Sequence, residues 1–248
     1  MTNSNLIQSQ FGTIPWWKKY LTVVIYPFDK RLILYSPFAF ILPWIILISA
    51  VVVTALITYS NENYLNKISE KIISRASTKE EIESAERAIE NTKPILRNPV
   101  YLTLLSMESA MVVTRSLLMV LFMVWIFLTF LFEWRNKFFR YILAVSNSTG
   151  IIVLGIIIYT VVRLIFQEDI VVASPIAFIK SYNHLNPFGY IVMHTEIFTL
   201  YFFWIASAQT IYFFQEKVFT LFMLFLSSWV ILHIVAFLSG FEFYIIPI

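Results

Sequence analysis

The run ESAMVVTR, Glu108 to Arg115, puts a carboxylate and a guanidinium seven residues apart at the head of the longest strongly apolar stretch in the chain. Two chemistries fit. An intramembrane ion pair would move a proton or a substrate, whereas two boundary charges would mark where a span begins. Seven residues are close to two helical turns, so the side chains share a face. They stand about 10 Å apart along the axis and cannot pair within one helix. With a span starting near Met111, Arg115 lies within a turn or two of the boundary. There its head reaches the lipid surface while its stem stays among apolar groups. One Arg costs roughly 3 kcal/mol even at mid-membrane, and about twenty apolar residues at roughly −0.3 to −0.6 kcal/mol each outweigh it. The boundary reading is favoured. Glu108 and Arg115 remain, with Asn147 and His233, a candidate intramembrane polar site.

Three other polar islands interrupt the apolar runs. SNSTG, Ser146 to Gly150, combines small hydroxyl residues, an amide and a glycine, the composition that helix–helix contact in lipid favours. A substrate-lining groove is the rival reading. His194-Thr195-Glu196 precedes another apolar run. His and Glu two residues apart do not share a helical face, and no third ligand lies nearby, so a metal site is not indicated. Thr195 or Glu196 at a helix start, complementing the positive end of the dipole, explains them economically. His233 lies inside the last apolar run with no acidic partner near it in sequence, and reads as a hydrogen-bonding group inside a bundle.

Enzyme signatures are missing. No GxSxG, HExxH, Walker or Rossmann glycine pattern occurs, and five glycines in 248 residues hardly suffice for a phosphate-cradling loop. The expectation is a protein that is not an enzyme and uses no cofactor or metal. With no cysteine, disulfides and thiol chemistry are excluded. A net charge of +3 is small and is read through topology, not as nucleic-acid binding.

The elements that must position these groups follow from composition. The chain is 59% hydrophobic and only 13% charged, against about 25% charged for a soluble domain. That indicates a polytopic membrane protein. Apolar runs of span length predict five crossings, at about 38–57, 111–132, 141–162, 197–214 and 218–238. Only Gln215-Glu216-Lys217 separates the last two, which forces them into an antiparallel hairpin.

Residues 1–37 read as an interfacial amphipathic segment. Trp16, Trp17, Lys18 and Lys19 are the anchor, rings at headgroup level and ammonium groups facing anionic lipid. A basic surface recruiting a partner is the alternative. Residues 38–248 form the membrane domain, with one substantial polar segment, 60–98. Tyr64, Leu65, Ile68, Ile72 and Ala76 recur at helical spacing. Ser77 and Thr78 each have a Glu three residues on, the capping-box spacing that opens a second helix. Ile82, Ala85 and Ile89 form its apolar stripe, and Asn91 and Pro94 are expected to stop it. Seven Lys/Arg offset seven Glu here. A solvated helical hairpin follows, or a docking arm for a partner through Ile68, Ile72, Ile82 and Ile89.

Charge counting barely orients the chain. With the N-terminus inside, inner segments carry eight Lys/Arg and outer segments nine, seven of them in the neutral hairpin. The compact cluster Arg135, Lys137 and Arg140 decides for an N-terminus on the cytoplasmic side of the cell membrane. Five crossings then put the C-terminus opposite. The expected fold is an all-α polytopic helical bundle of five spans with an extramembrane helical hairpin.

The order of elements resembles the bacterial branch of the Ypt-interacting-protein (YIP) domain family, over roughly Leu21 to Leu238. YPFDKRLILYSPFAFILPWIIL, Tyr26 to Leu47, is similar to the family's opening, a proline and phenylalanine ahead of a proline-broken first span. RNKFFRYILAVSNSTGIIVLG, Arg135 to Gly155, looks like its loop into the third span. TEIFTLY, Thr195 to Tyr201, resembles the entrance to span four, although Tyr201 stands where a tryptophan is expected and Ala206-Ser207-Ala208 where a glycine usually follows. The Asp-Leu-Tyr-Gly-Pro signature of the eukaryotic branch is missing, so binding of small Rab-type GTPases is not carried over. The resemblance implies a non-enzymatic integral membrane protein. Some bacterial members are found beside ABC-type exporters with a periplasmic adaptor, which makes an accessory or scaffold subunit the leading expectation, with the bilayer and another membrane protein as partners. A small-molecule or ion transporter or channel, with Glu108, Arg115, Asn147 and His233 facing a shared cavity, is the competing one.

Overall fold

A computed structural model describes residues 22, 25, 37–75, 78–96, 98–132, 138–166, 187–211 and 217–246. Nine helices are described: α1 Pro37–Ser60, α2 Glu62–Arg75, α3 Lys79–Leu96, α4 Pro99–Phe132, α5 Phe138–Ser148, α6 Gly150–Phe166, α7 Pro187–His194, α8 Ile197–Thr210 and α9 Val218–Ser239. No strand occurs among the described residues. The interfacial anchor Trp16, Trp17, Lys18 and Lys19 lies outside them, as do Arg135 and Lys137 and the side chains of Ile68 and Ile72.

Four stretches are long and apolar enough to cross a bilayer, Ile41–Ser60, Pro99–Phe132, Phe138–Phe166 and Val218–Ser239. Helical form follows from the absence of water: in lipid each backbone N–H and C=O must find a partner within its own segment. Their outer faces are apolar as well. Phe130 is 80% exposed while Leu128, two residues away, is fully buried, so one face of α4 meets the bundle and the other suits lipid.

The bounds differ from expectation in physically informative ways. α4 begins at Pro99, twelve residues ahead of the expected span start at Met111, and runs for 34 residues, about 51 Å at 1.5 Å per residue. Asn98 opens it, its side-chain oxygen accepting from the Val100 N–H at 3.0 Å, and proline suits a first turn that needs no N–H. Roughly twenty residues fill a 30 Å hydrocarbon layer. With the layer's far edge at Phe132, twenty residues would reach back to about Val113, which would leave Arg115 near a boundary and Glu108 beyond it. The third apolar run is a helix broken for one residue at Thr149. The expected fourth span appears as α8, 14 residues long and about 21 Å, too short to cross alone.

The 60–98 segment folds as α2 and α3, which pack on each other. The capping box forms at Thr78 and Glu81: the Thr78 N–H donates to Glu81 Oε2 at 3.1 Å, and the Glu81 N–H to Thr78 Oγ1 at 3.2 Å. Ile82, Ala85 and Ile89 are half-buried, the single weak stripe. Helix α3 does not stop at Asn91 or Pro94 but runs through Pro94 to Leu96. Pro94 removes one hydrogen bond at an exposed position, where water can serve the freed Glu90 carbonyl.

The core lies where α1, α4, α5, α6, α8 and α9 meet. An aromatic column runs beside α9: Tyr141 on Phe225 at 6.5 Å, Phe225 on Phe203 at 5.6 Å, Phe203 against Trp229 at 5.8 Å, and Trp229 against Phe243 at 5.2 Å. The Tyr141 hydroxyl donates to the Leu121 carbonyl at 3.0 Å, tying α5 to α4. After α9 the chain turns back at Gly240, whose φ of 69° suits a residue without Cβ. The following residues re-enter the bundle and bury Phe243, Ile245 and Ile246. Close approach of α6 to α8 needs Gly155. A Cβ there would stand 2.8 Å from Phe198 Cγ and 2.9 Å from Ile246 Cδ1.

Candidate functional site

The four residues expected to share an intramembrane site are not brought together. Glu108 is exposed on α4, with Tyr244 within its electrostatic reach. Arg115, also exposed, donates through Nη2 to the Glu242 carbonyl, and its guanidinium lies 5.5 Å from the centre of the Phe241 ring. One residue further, the Ser116 hydroxyl accepts from the Tyr244 N–H at 3.2 Å. α4 therefore uses these groups to hold the returning C-terminal segment. Asn147 is fully buried in α5, and His233 fully buried in α9, its ring 4.7 Å from that of Phe243. A lateral cavity of about 710 Å³ between α1, α4 and α5 has Arg115 on its wall, with Ile48, Leu118, Phe122 and Phe138 among its other linings. Glu108, Asn147 and His233 do not line it.

The SNSTG run does what small polar residues do between helices. Ser146, Asn147, Ser148 and Thr149 are all fully buried. Trp44 Nε1 of α1 donates to Ser146 Oγ at 3.0 Å, a bond between residues 102 apart in sequence. Thr149 Oγ1 donates to the Ser146 carbonyl at 2.8 Å, serving a carbonyl at the point where the helix is broken. The Asn147 amide has no hydrogen-bond partner among the described residues.

A second cluster sits at the junction of α7 and α8, where Thr195 and Glu196 interrupt the helix. Trp229 Nε1 donates to Thr195 Oγ1 at 3.0 Å. Trp229 lies midway along α9, so the interruption is deep in the bundle and not at its rim. The His194 ring stands 5.6 Å from that of His233 and 6.4 Å from that of Tyr244, tying the end of α7 to α9 and to the C-terminal segment. Glu196 occupies the N-cap position of α8 with extended backbone, φ −101° and ψ 160°, yet its side chain makes no cap hydrogen bond. Glu196 thus stands at a helix start, as expected, but its carboxylate makes no hydrogen bond to the free N–H groups there. The carboxylate faces α6 instead, towards Tyr159 and, one turn on, Arg163. Glu196 is 1% exposed. Neither of its oxygens, nor the Tyr159 hydroxyl, has a hydrogen bond of ordinary length among the described residues.

This cluster was missed because its members come from separate elements. Tyr159 and Arg163 are unremarkable within GIIVLGIIIYTVVRLIF, and only packing of α8 on α6 joins them to Glu196. The available signal was a carboxylate between two apolar runs too short to span singly. Among the described residues no group of three His, Cys, Asp or Glu could hold a metal ion. Comparison with protein-family models, curated proteins and solved structures returned no match.

Proposed function

We propose that this chain is a non-enzymatic, five-crossing membrane protein of the YIP type, an accessory or scaffold subunit that binds or organises another membrane complex, for instance an ABC-type exporter. The observation that carries the reading is where the polar side chains go. Trp44 to Ser146, Tyr141 to Leu121, Trp229 to Thr195 and Arg115 to Glu242 all join one helix or segment to another. Arg115, on which a conduit through the first candidate site would depend, serves a backbone carbonyl.

Parity of the crossings supports the fifth one. Lys67 Nζ of α2 donates to the Phe166 carbonyl at 3.0 Å, so α6 ends on the side where α1 ends and α2 begins. The C-terminal segment after α9 lies near Tyr59, at the end of α1. α6 and α9 then end on the same side, so the chain crosses back between Phe166 and Lys217. α7 and α8 together, residues 187–210, supply that crossing as one interrupted helix. With an inward N-terminus, α2 and α3 form an outer extramembrane hairpin available to a partner.

Purification of the full chain from its native membrane in mild detergent tests the scaffold reading. Co-elution of a second membrane protein in fixed proportion is the expected result, and a lone protomer contradicts it. Transport is the second reading, favoured by the buried Glu196 at an interrupted helix, since such interruptions mark substrate and ion sites in transporters. Solute flux in proteoliposomes that depends on Glu196 would favour it.

A further inference from the structure

We propose that Glu196 is an exchangeable proton-binding site built into the interruption between α7 and α8, reached from the side on which α6 ends. This goes beyond the scaffold reading and does not depend on it. Three observations converge. The helix is interrupted at depth, held there by the Trp229 to Thr195 bond. The carboxylate at the interruption is 1% exposed and caps nothing, although its backbone is placed to cap α8. From α6 it is faced by a phenol that, like the carboxylate, has no hydrogen bond of ordinary length among the described residues, and by a guanidinium one turn nearer the helix end.

A purely structural role would not need a carboxylate. A charged group inside a bilayer is costly unless paired, and a glutamine or an apolar residue would fill the same volume without that cost. What a carboxylate adds is the ability to change protonation state. Arg163 is half-buried in the last turn of α6, with Ile165 and Phe166 exposed beyond it, and Tyr159 stands one turn deeper. They form a graded path from the boundary to Glu196. In the step itself, a hydronium ion at the boundary gives up one proton and becomes water, and the Glu196 carboxylate gains that proton as a carboxylic acid. The Tyr159 hydroxyl donates to the carboxylate before the step and accepts from the acid after it, so no other group changes charge. Among the described residues, the other titratable groups around the interruption are His194 on α7, His233 behind it on α9, and Tyr244 of the C-terminal segment.

Infrared difference spectroscopy of the full chain in lipid nanodiscs, between mildly alkaline and mildly acidic buffer, reads this directly. The unmodified protein is expected to gain a carboxylic-acid C=O band on acidification that shifts in heavy water, is lost in Glu196→Gln and moves in frequency in Tyr159→Phe. Tyr159→Phe keeps ring volume, so it still decides the question if Glu196→Gln does not fold. A difference spectrum unchanged by both substitutions overturns the proposal. So does a Glu196 band that is constant across the pH range or does not exchange in heavy water, which would mark the residue as fixed and structural.

Discussion

Gly155 gives the sharpest handle on how the bundle closes, because two effects of known size oppose each other there. In an ordinary helix Gly→Ala stabilises by about 1 kcal/mol, since alanine loses less backbone entropy. At Gly155 the added Cβ would meet Phe198 Cγ at 2.8 Å, Phe198 Cβ at 2.9 Å and Ile246 Cδ1 at 2.9 Å. The Ile246 methyl is the far end of a flexible side chain and moves cheaply. The Phe198 atoms sit next to the α8 backbone, so relief there means moving the helix, and overpacking of this kind costs roughly 1–3 kcal/mol. Gly155→Ala is therefore expected to be neutral to about 2 kcal/mol destabilising. In a Phe198→Ala background the Cγ contact is gone while the Cβ contact at 2.9 Å stays, so the same change is expected to be less destabilising than in the unmodified protein. Reversible unfolding in mixed micelles, run on the four proteins of that cycle, gives both numbers. An equal effect of Gly155→Ala in the two backgrounds would refute the close approach of α6 to α8.

Three further outcomes follow from single contacts. The cycle Trp44→Phe with Ser146→Ala should return a coupling of about 0.6 kcal/mol, with an upper bound near 1.7 kcal/mol, as for other interhelical hydrogen bonds in membranes; additive single effects would remove the bond. Thr78→Ala should cost α3 about 1 kcal/mol and raise amide hydrogen exchange in its first turn while leaving α2 unchanged. Gly240→Ala, with open space around the new Cβ but a left-handed backbone, should lose about 1–2 kcal/mol and loosen residues 241–246, read as faster exchange at Phe243.

What was legible in the sequence was the part written in local pattern. The apolar runs of α1, α4 and α9 needed only length and composition, the Thr78–Glu81 box only a spacing, and SNSTG only its residue types. What was illegible depends on distant partners. The Arg115 acceptor is a backbone carbonyl, which every residue carries and no motif advertises. The return of Phe243 to Ile246 into the bundle is too short for any span criterion, and depends on the turn at Gly240. Glu196 read as a charge at a helix start, and it stands at one; only the packing of α8 on α6 turns its side chain towards Tyr159. The Pro94 stop failed because an exposed helix tolerates one missing hydrogen bond.

The proposed topology has an odd number of crossings, with the interrupted α7–α8 pair as one of them. The chain contains no cysteine, so single cysteines can be placed at exposed Glu86, Lys217 and Glu242 and labelled in sealed vesicles with a membrane-impermeant maleimide. Five crossings put Glu86→Cys and Glu242→Cys on one side and Lys217→Cys on the other. Labelling of Glu86→Cys and Lys217→Cys from the same side would contradict it.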